Sequence, residues 1–162
     1  MERRNKVRGE KVLLKIVDPE TNLVIAGQRT ASLDLSADAL DATTKESNGW
    51  IENEVGLRSW SVSADGLYVR NDRSHRAIIN HFLNREKIDV ILEQDTGSEF
   101  DLSFRGTAVI TSYPLEMPYD DLIGYSIDLE GDGALEIIDK QGQIPSGFST
   151  TTQKEKAEVK KQ

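Results

Sequence analysis

The sequence SWSVSADGLY, residues 59–68, decides the fold of this chain. Within it, the apolar residues Trp60, Val62 and Ala64 alternate with three serines. An alternation with a period of two predicts a β-strand that turns one face to a core and the other to solvent. The serine side of this strand consists of small side chains and has no lysine or arginine.

The same period recurs on both sides of this stretch. Apolar residues occupy every second position in 12–16, 31–35, 88–92, 100–104 and 125–129. Turn residues at 19–22 separate the first of these from a short apolar segment at 23–26, which predicts a hairpin. A second turn, at 95–98, leads into the strand at 100–104. The pattern therefore predicts about eight strands.

One helix is predicted among the strands, beginning near residue 72. Asp72 or Ser74 can cap its first turn, and its apolar face is formed by Ile78, Ile79, Phe82 and Leu83. Four basic residues lie on or near this helix: Arg73, His75, Arg76 and His81. They could form an anion site near the helix start, but a solvated helix face is the favoured interpretation. The fold class that follows is mainly β: an antiparallel β-sandwich or barrel with one flanking α-helix.

The organisation of the chain is that of one domain with unlike ends. Its 162 residues fit a single core, and an apolar content of 37% makes that core thin. We expect a flexible arm at 1–9, a β domain at 10–139 and a flexible basic tail at 140–162, because both ends lack apolar periodicity. A thin core suggests that burial is completed against further copies of the chain.

The residue types that most enzyme chemistry needs are missing or poorly placed. The chain has no Cys, which excludes disulfides and thiolate catalysis. Its two histidines, His75 and His81, lie six apart rather than at the i, i+4 spacing of a metal pair on a helix. No His or Lys is placed to activate a serine nucleophile. We expect no enzyme activity, no metal and no cofactor.

The segment DLEGDG, residues 128–133, resembles the start of a calcium-binding loop. Carboxylates stand at its positions 1, 3 and 5 and a glycine at position 6. A calcium-binding loop of this type joins two helices, whereas the residues on both sides of 128–133 alternate as strands do. Position 12 of the loop is usually the longer Glu, and here it is Asp139. A Gly-rich turn between two strands is the favoured interpretation.

Charge is distributed unevenly along the chain. The net charge of −8 divides into +3 for residues 1–9, +2 for 153–162 and −13 for the body between them. We expect a body with this much negative charge to repel nucleic acid. A simpler explanation of the charge is that it keeps the protein soluble. The apolar stretch at 12–17 is too short for a membrane span and is interrupted by Lys15, and no signal peptide follows the basic start. We expect no membrane partner.

Residues 36–56 form the longest stretch without a strand pattern. The segment is polar and holds an isolated Trp50. Loops of this length are usually functional or disordered, and a lone Trp in such a loop is often an interface anchor. We predict a long loop in which Trp50 anchors a contact between subunits. The alternative is that Trp50 folds back onto its own core.

Several short motifs occur in a fixed order along the chain. They are GQR at 27–29, SLDLS at 32–36, DATTK at 41–45, GW at 49–50, SWSVSADGLY at 59–68, PYDD at 118–121, YSIDLEG at 125–131 and GAL at 133–135. In this order they resemble the phage major tail protein family, over roughly residues 9–138. No single motif is diagnostic, but the ordered set is specific enough to name the family.

The resemblance implies a structural protein of the virion tail, assembled in the host cytoplasm. Family members form hexameric rings that stack into a tube through which double-stranded DNA passes without specific binding. Their long loop and termini bridge subunits or rings. The implied partners are further copies of the chain, a tape measure protein, a tail tip protein and a tail terminator protein. The runner-up is a monomeric β-sandwich that binds, for example, carbohydrate, although only 6% of residues are aromatic.

Such a tube needs a wall to which DNA does not adhere. Small polar and acidic groups repel phosphates, whereas Lys and Arg hold them. Polar strand faces of this composition contain Asp34, Asp128 and Glu130, with Asp101 as a weaker candidate because Arg105 shares its face. We predict that these four carboxylates line the lumen. The alternative is an outer wall, where they only aid solubility.

Overall fold

The structure is a computed structural model that describes residues 6, 8–17, 22–99 and 101–139. After a 3-10 turn at Gly9–Lys11, the described residues form one helix, α1 (Arg73–Leu83), and the strands β1 (Val12–Val17), β2 (Asn22–Val24), β3 (Gln28–Asp41), β4 (Asn53–Leu67), β5 (Ile88–Gln94), β6 (Leu102–Ser112), β7 (Leu115–Glu116) and β8 (Gly124–Asp139). The predicted tail at 140–162 and most of the predicted arm at 1–9 lie outside the described residues.

All of these strands belong to one sheet. Their order is β2-β1-β5-β6-β8-β4-β3, with β7 paired to β8, and each pairing between them is antiparallel. The prediction of a mainly β, antiparallel fold with one helix is confirmed. The predicted hairpin near residue 20 is also confirmed, since β1 pairs with β2.

The sheet curls until the start of β3 reaches β1. There the side chain of Gln28 accepts a hydrogen bond of 2.9 Å from the Leu14 N–H and donates one of 2.6 Å to the Leu14 carbonyl. The same amide group donates to the Ile25 carbonyl at 2.9 Å. A side chain thus imitates a strand partner at this seam, so the single sheet is barrel-like rather than a sandwich of two sheets.

The core lies inside the curl because the strands alternate as the sequence predicts. Apolar rows cross three neighbouring strands at Ala31–Ala64–Ile127 and Leu33–Val62–Leu129. On β4 and β8 the members of these rows are buried, as are Leu14 and Ile16 on β1. The stretch at 59–68 lies mostly on β4, between β8 and the last strand β3, and its Trp60, Val62 and Ala64 lie in the core.

The side chain of Trp60 packs at the point where β4 and β8 cease to pair. Pairing between these two strands stops at Ser61, and the indole N–H just beyond donates a hydrogen bond of 3.0 Å to the Gly133 carbonyl. The ring lies against Gly106 and Gly131, where a Cβ would come within 2.5 and 2.1 Å of indole carbons. The absence of side chains at these two positions makes room for the largest side chain of the core.

The segment at 128–133 is not a turn between two strands, so that prediction is wrong. β8 is continuous from Gly124 to Asp139, and it carries residues 133–135 as a bulge opposite Gly106 of β6. The left-handed backbone of Gly133, with φ of 82°, suits such a bulge. The glycines therefore distort one strand instead of ending it.

The prediction of a loop at 36–56 is wrong at both ends. β3 continues to Asp41 and β4 begins at Asn53, so only 42–52 lacks strand structure. We call the paired segments 36–41 and 53–59 the ribbon, and 42–52 its tip. The ribbon hides its strand pattern in two ways: nearly all of its residues are exposed, and a bulge between Ala37 and Ala39 shifts its register.

Helix α1 packs on the barrel through Ile78 and His75, which are both fully buried. Asp72 is its N-cap residue but makes no side-chain capping bond to the backbone. The apolar face predicted for this helix is wrong in its second half, because Phe82 and Leu83 are exposed. Polar residues of the first turn take their place against the barrel.

His75 lies among tyrosines at the junction of α1 and the barrel. Its Nδ1 is 2.6 Å from the hydroxyl of Tyr113, and its ring packs against Tyr68 and Tyr125 with centroids 4.8 and 4.7 Å away. Burial lowers the pKa of His75, opposed by Asp72, and burial raises the pKa of Tyr125 to about 12. The prediction that His75 belongs to a solvated face is therefore wrong.

Candidate assembly surfaces

Polar rows alternate with the apolar rows on the outside of β3, β4 and β8. The nine residues of these rows, which we call the polar face, are Thr30–Asp65–Ser126, Ser32–Ser63–Asp128 and Asp34–Ser61–Glu130. None of the nine is basic. Three of the predicted lumen residues, Asp34, Asp128 and Glu130, thus share one face. Asp34 and Glu130 are two strand spacings apart in one row, roughly 10 Å, and Asp128 lies in the next row.

The carboxylates of the polar face are mostly open to solvent. Asp34 and Glu130 are exposed, and Asp128 is half-buried and accepts a hydrogen bond of 2.8 Å from Ser63. The part of the sheet around β5 differs, because Lys15 forms an ion pair with Glu93 there. Arg105 lies on the same part of the sheet. The acidic character is therefore concentrated on β3, β4 and β8.

Asp101 does not lie with the other three predicted residues. It precedes β6 and is buried, with 3% of its surface exposed. Its carboxylate accepts hydrogen bonds from the backbone N–H groups of Thr96 and Ser98, and from the Thr96 hydroxyl. The expectation that it occupies a solvent-facing strand position is wrong, because its side chain is used to hold the turn before β6.

The ribbon and its tip expose large apolar side chains. Trp50 is 78% exposed, which rules out the alternative that it folds back onto its own core. The other exposed apolar residues of this region are Leu40, Ile51, Val55 and Leu57. Large apolar side chains exposed in this number often belong to an interaction site in soluble proteins.

Hydrogen bonds give the tip a defined shape. Asp41 accepts a bond of 2.9 Å from the Thr43 N–H. The Thr43 side chain and then this N–H lower the pKa of the Asp41 carboxyl by hydrogen bonding to it. Ser47 accepts one of 3.0 Å from the Thr44 N–H, and the Trp50 N–H donates to the Ser47 carbonyl at 2.9 Å. The motif DATTK is therefore the framework that presents Trp50.

Both edges of the ribbon lack a strand partner within the described part of the chain. β3 is the last strand of the sheet, and β4 pairs with β8 only from Ser61 onward. The backbone N–H and C=O groups along such edges are available to a strand from another chain. These edges could not be predicted from the residue pattern, because the pattern predicts a loop here.

A second exposed apolar surface lies at the other end of β3 and β4. The segment 117–123, which we call the lower loop, precedes Gly124, and Gly124 pairs with the last residue of β4. Its Met117, Tyr119 and Leu122 are all largely exposed. Beside it is a cleft of about 430 Å³, lined in part by Pro114, Pro118 and Leu122. Sequence reasoning missed this surface, because short loops carry no periodicity.

A model of the phage tail tube protein family matches residues 6–137. The chain belongs to this family. It is a structural subunit of a phage tail tube and hence a component of the virion. Among curated protein sequences, none matches it significantly. In the described part of the chain, no helix is long and apolar enough to cross a membrane.

Three solved structures illustrate the similarity in fold. The tail of an empty gene transfer agent particle with C6 symmetry matches with a TM-score of 0.70 and 26% identity, over 81% of this chain and 98% of that one. The SPP1 tail tube matches with a TM-score of 0.69 and 16% identity, over 87% of this chain and 82% of that one. The sheath–tube complex of an extracellular contractile injection system matches with a TM-score of 0.62 and 16% identity, over 84% of this chain and 93% of that one. At 16% identity the last two show the fold alone.

Proposed function

We propose that this tail tube protein assembles into hexameric rings, that the rings stack into a hollow tube, and that the polar face lines the channel through which double-stranded DNA passes. The observation that carries the proposal is the match to the subunit of a C6-symmetric tail over 98% of that chain. The protein does no chemistry in this account. Tape measure, tail tip and tail terminator proteins are its further proposed partners.

The ring is proposed to form through strand edges. Among the described residues, neither edge of the ribbon is paired, and closing a ring of sheets removes edges that would otherwise pair without limit. The apolar side chains of the ribbon support this role, because they would be covered by the neighbouring subunit. A subunit with a thin core would complete its burial in the same step.

The channel wall is proposed to be the polar face. Each phosphate neutralised by a basic group adds a salt-sensitive increment of DNA affinity, and the nine positions of this face offer no basic group. Asp34, Asp128 and Glu130 would instead repel DNA and keep it mobile. Asp101 is left out of this proposal because its carboxylate is buried in a turn.

Electron microscopy of the purified protein tests the assembly. We expect rings or tubes with six-fold symmetry, formed on concentration or on nucleation by a tail tip. A protein that remains monomeric at every concentration and salt condition would contradict the proposal. Such a result would return the monomeric binding module to consideration.

Charge reversal tests the channel. Particles whose tubes carry Asp34→Lys, Asp128→Lys and Glu130→Lys together should assemble but eject DNA slowly or not at all. A matched control carries Glu10→Lys, Glu86→Lys and Glu99→Lys, which make the same change of charge at exposed positions outside the polar face. Normal ejection by the first variant, or equal inhibition by both, would place the polar face on the outer wall.

A further inference from the structure

Helix α1 carries a basic surface at the lower end of the barrel, which is the end where β4 and β6 finish and β8 begins. Residues 70–87, which include α1, contain five arginines or lysines and two carboxylates, although the net charge of the whole chain is −8. Arg73 and Arg76 are both exposed and lie one turn apart on the helix. Neither forms an ion pair with another described residue. We call this pair the basic surface.

The two arginines do not stabilise the helix itself. Arg73 lies in the first turn, which contains no acidic residue, and Asp72 makes no side-chain capping bond there. A basic side chain at this end is unfavourable, because the helix dipole places a partial positive charge at the N-terminus. The packing of α1 on the barrel uses other residues, His75 and Ile78, which are fully buried. Arg73 and Arg76 are therefore available to a partner outside the subunit.

An acidic surface lies at the opposite, upper end of the barrel, in the turn between β5 and β6. This turn, residues 95–101, contains Asp95, Glu99 and Asp101 and no basic side chain. The carboxylate of Asp101 is buried and accepts hydrogen bonds from two backbone N–H groups of the turn. The Asp95 N–H donates a hydrogen bond of 2.8 Å to the Lys11 carbonyl. The turn, which we call the acidic turn, therefore has a defined shape, and it exposes Asp95 and Glu99.

Strand β6 connects the two surfaces. The acidic turn leads directly into Leu102, the first residue of β6, and Tyr113 follows the last residue of this strand. The hydroxyl of Tyr113 is 2.6 Å from Nδ1 of His75, which lies between the two arginines on α1. β6 has 11 residues, so the basic surface and the acidic turn lie roughly 35 Å apart, at the two ends of one strand.

The direction of β6 decides which subunits these two surfaces can meet. Strands pair sideways, perpendicular to their own direction. If rings close through strand edges, as proposed above, the two ends of β6 face the two adjacent rings. Stacking then brings the acidic turn of one subunit to the basic surface of another, and such a head-to-tail contact repeats from ring to ring. The inference therefore rests on the proposed function.

We propose that Arg73 and Arg76 of one subunit form ion pairs with Asp95 and Glu99 of a subunit in the adjacent ring. The partner of the basic surface is thus a second copy of this chain. The two surfaces match in chemistry, because a guanidinium group can donate two parallel hydrogen bonds to one carboxylate. The contact also fixes the direction of stacking, because two basic ends or two acidic ends repel each other. All rings of a tube therefore point the same way.

Exchanging the charges of the two surfaces tests the contact. Arg73→Glu with Arg76→Glu, and separately Asp95→Lys with Glu99→Lys, should each raise the critical concentration for tubes by about tenfold or more, because like charges then face each other. A chain with all four changes should return to within about threefold of the wild type. Sedimentation measures the critical concentration. Electron microscopy should show isolated rings in place of tubes where stacking is lost.

A matched control combines Arg73→Glu and Arg76→Glu with Asp34→Lys and Glu130→Lys on the polar face. This control has the same net charge as the four-residue exchange, but it leaves like charges facing each other between rings. We expect no recovery of tubes in the control. Recovery in the control as well would mean that net charge, and not the contact, governs stacking.

The outcomes separate this inference from the proposed function. Tubes that form equally well after either reversal would overturn the contact, as would a four-residue variant whose monomer melts like the wild type but does not recover. Both results leave the tube itself intact, whereas absence of tubes in the wild type would overturn both proposals. Glu99→Lys alone leaves Asp95 in place and should raise the critical concentration by no more than about threefold. The control of the ejection experiment, which contains this change, should therefore still form tubes.

A milder variant gives a second measurement that does not depend on the four-residue exchange. Salt screens exposed ion pairs, and Arg73→Gln with Arg76→Gln removes the charges of the basic surface. The variant should have the higher critical concentration at low salt, and its difference from the wild type should shrink as salt is added. A difference that is absent, or that stays constant with salt, would contradict the ion pairs.

Discussion

The lower and upper halves of the β3–β4 hairpin are continuous in sequence and differ in what covers them. In the lower half, β4 has β8 as a second neighbour and its apolar side chains are buried. In the upper half, the ribbon has no second neighbour among the described residues and its apolar side chains are exposed. One half folds within the subunit, and we infer that the other is completed by other subunits.

The two tryptophans of the chain mark this difference. Trp60 is 6% exposed and its N–H is bonded to Gly133. Trp50, ten residues earlier, is 78% exposed. The same residue type thus serves stability at one site and, in our proposal, association at the other. Substitutions at the two sites should therefore separate the stability of the subunit from the stability of the tube.

The largest expected effect is that of Trp60→Ala. Removing a buried aromatic ring costs about 3–5 kcal/mol of unfolding free energy, and the Gly133 carbonyl loses its indole partner. Trp50→Ala is the matched control and should change the stability of the monomer by no more than about 0.5 kcal/mol. Urea unfolding of the two monomers measures both. Equal losses would mean that Trp50 also belongs to the core.

Gly131→Ala should lower stability by about 1–3 kcal/mol through overpacking. A methyl group there would lie 2.1 Å from the indole of Trp60, so the ring or the strand must move. Gly9→Ala is the control, because a Cβ at Gly9 meets nothing within 4 Å. Thermal melts of both variants give the comparison. An unchanged melting temperature for Gly131→Ala would show that the ring has room to move.

Gln28→Ala should open the seam of the barrel. It leaves the N–H and C=O of Leu14 without their side-chain partner, and we expect a loss of about 1–2 kcal/mol. Arg29→Ala, at an exposed neighbour, should be near neutral. Hydrogen exchange should show faster exchange at Leu14 in the first variant only. Protection that persists at Leu14 would mean that another group closes the seam.

The smallest predicted effect is a pH dependence from His75. Its pKa in the folded state lies below the ordinary value of 6.5 because of burial. The unfolded chain therefore takes up the proton first as pH falls below 6.5, so this contribution to stability is present at higher pH and is lost on acidification. His75→Gln removes the titration. Melting temperatures measured above and below pH 6.5 should fall more for wild type than for this variant.

A reversed difference, with the variant losing more stability on acidification, would contradict burial of a neutral His75. The surrounding groups are the tyrosines 68, 113 and 125 and the carboxylate of Asp72, which opposes the lowering of the His75 pKa. Carboxylates elsewhere titrate equally in both proteins, so they cancel in the comparison.

A strand could be predicted from the sequence where one of its faces is buried in the core and the other is exposed. β4 between Trp60 and Ala64, and β8 between Tyr125 and Leu129, have one face in the core, and their alternation predicted them. The ribbon has no buried face, so its composition is that of a loop and its strands were missed. The bulge at 133–135 was missed for a related reason, because glycines suit a turn and a distorted strand equally well.

The candidate surfaces follow the same division. Asp34, Asp128 and Glu130 were found because each lies on the polar side of an alternating strand. Asp101 was misplaced, since its role in the turn depends on the fold of 96–98 rather than on strand parity. His75 was misplaced because its tyrosine neighbours come from distant parts of the chain. The lower loop could be recognised only after β8 was seen beside β4.

The central claim is that the barrel folds within one subunit while the ribbon is completed in the tube. Hydrogen exchange of the monomer and of the assembled tube tests it most directly. We predict that the barrel strands are protected in both states, and that protection at 36–41 and 53–59, with the indole N–H of Trp50, appears only in the tube. A ribbon that is already protected in the monomer, or that stays unprotected in the tube, would contradict the claim.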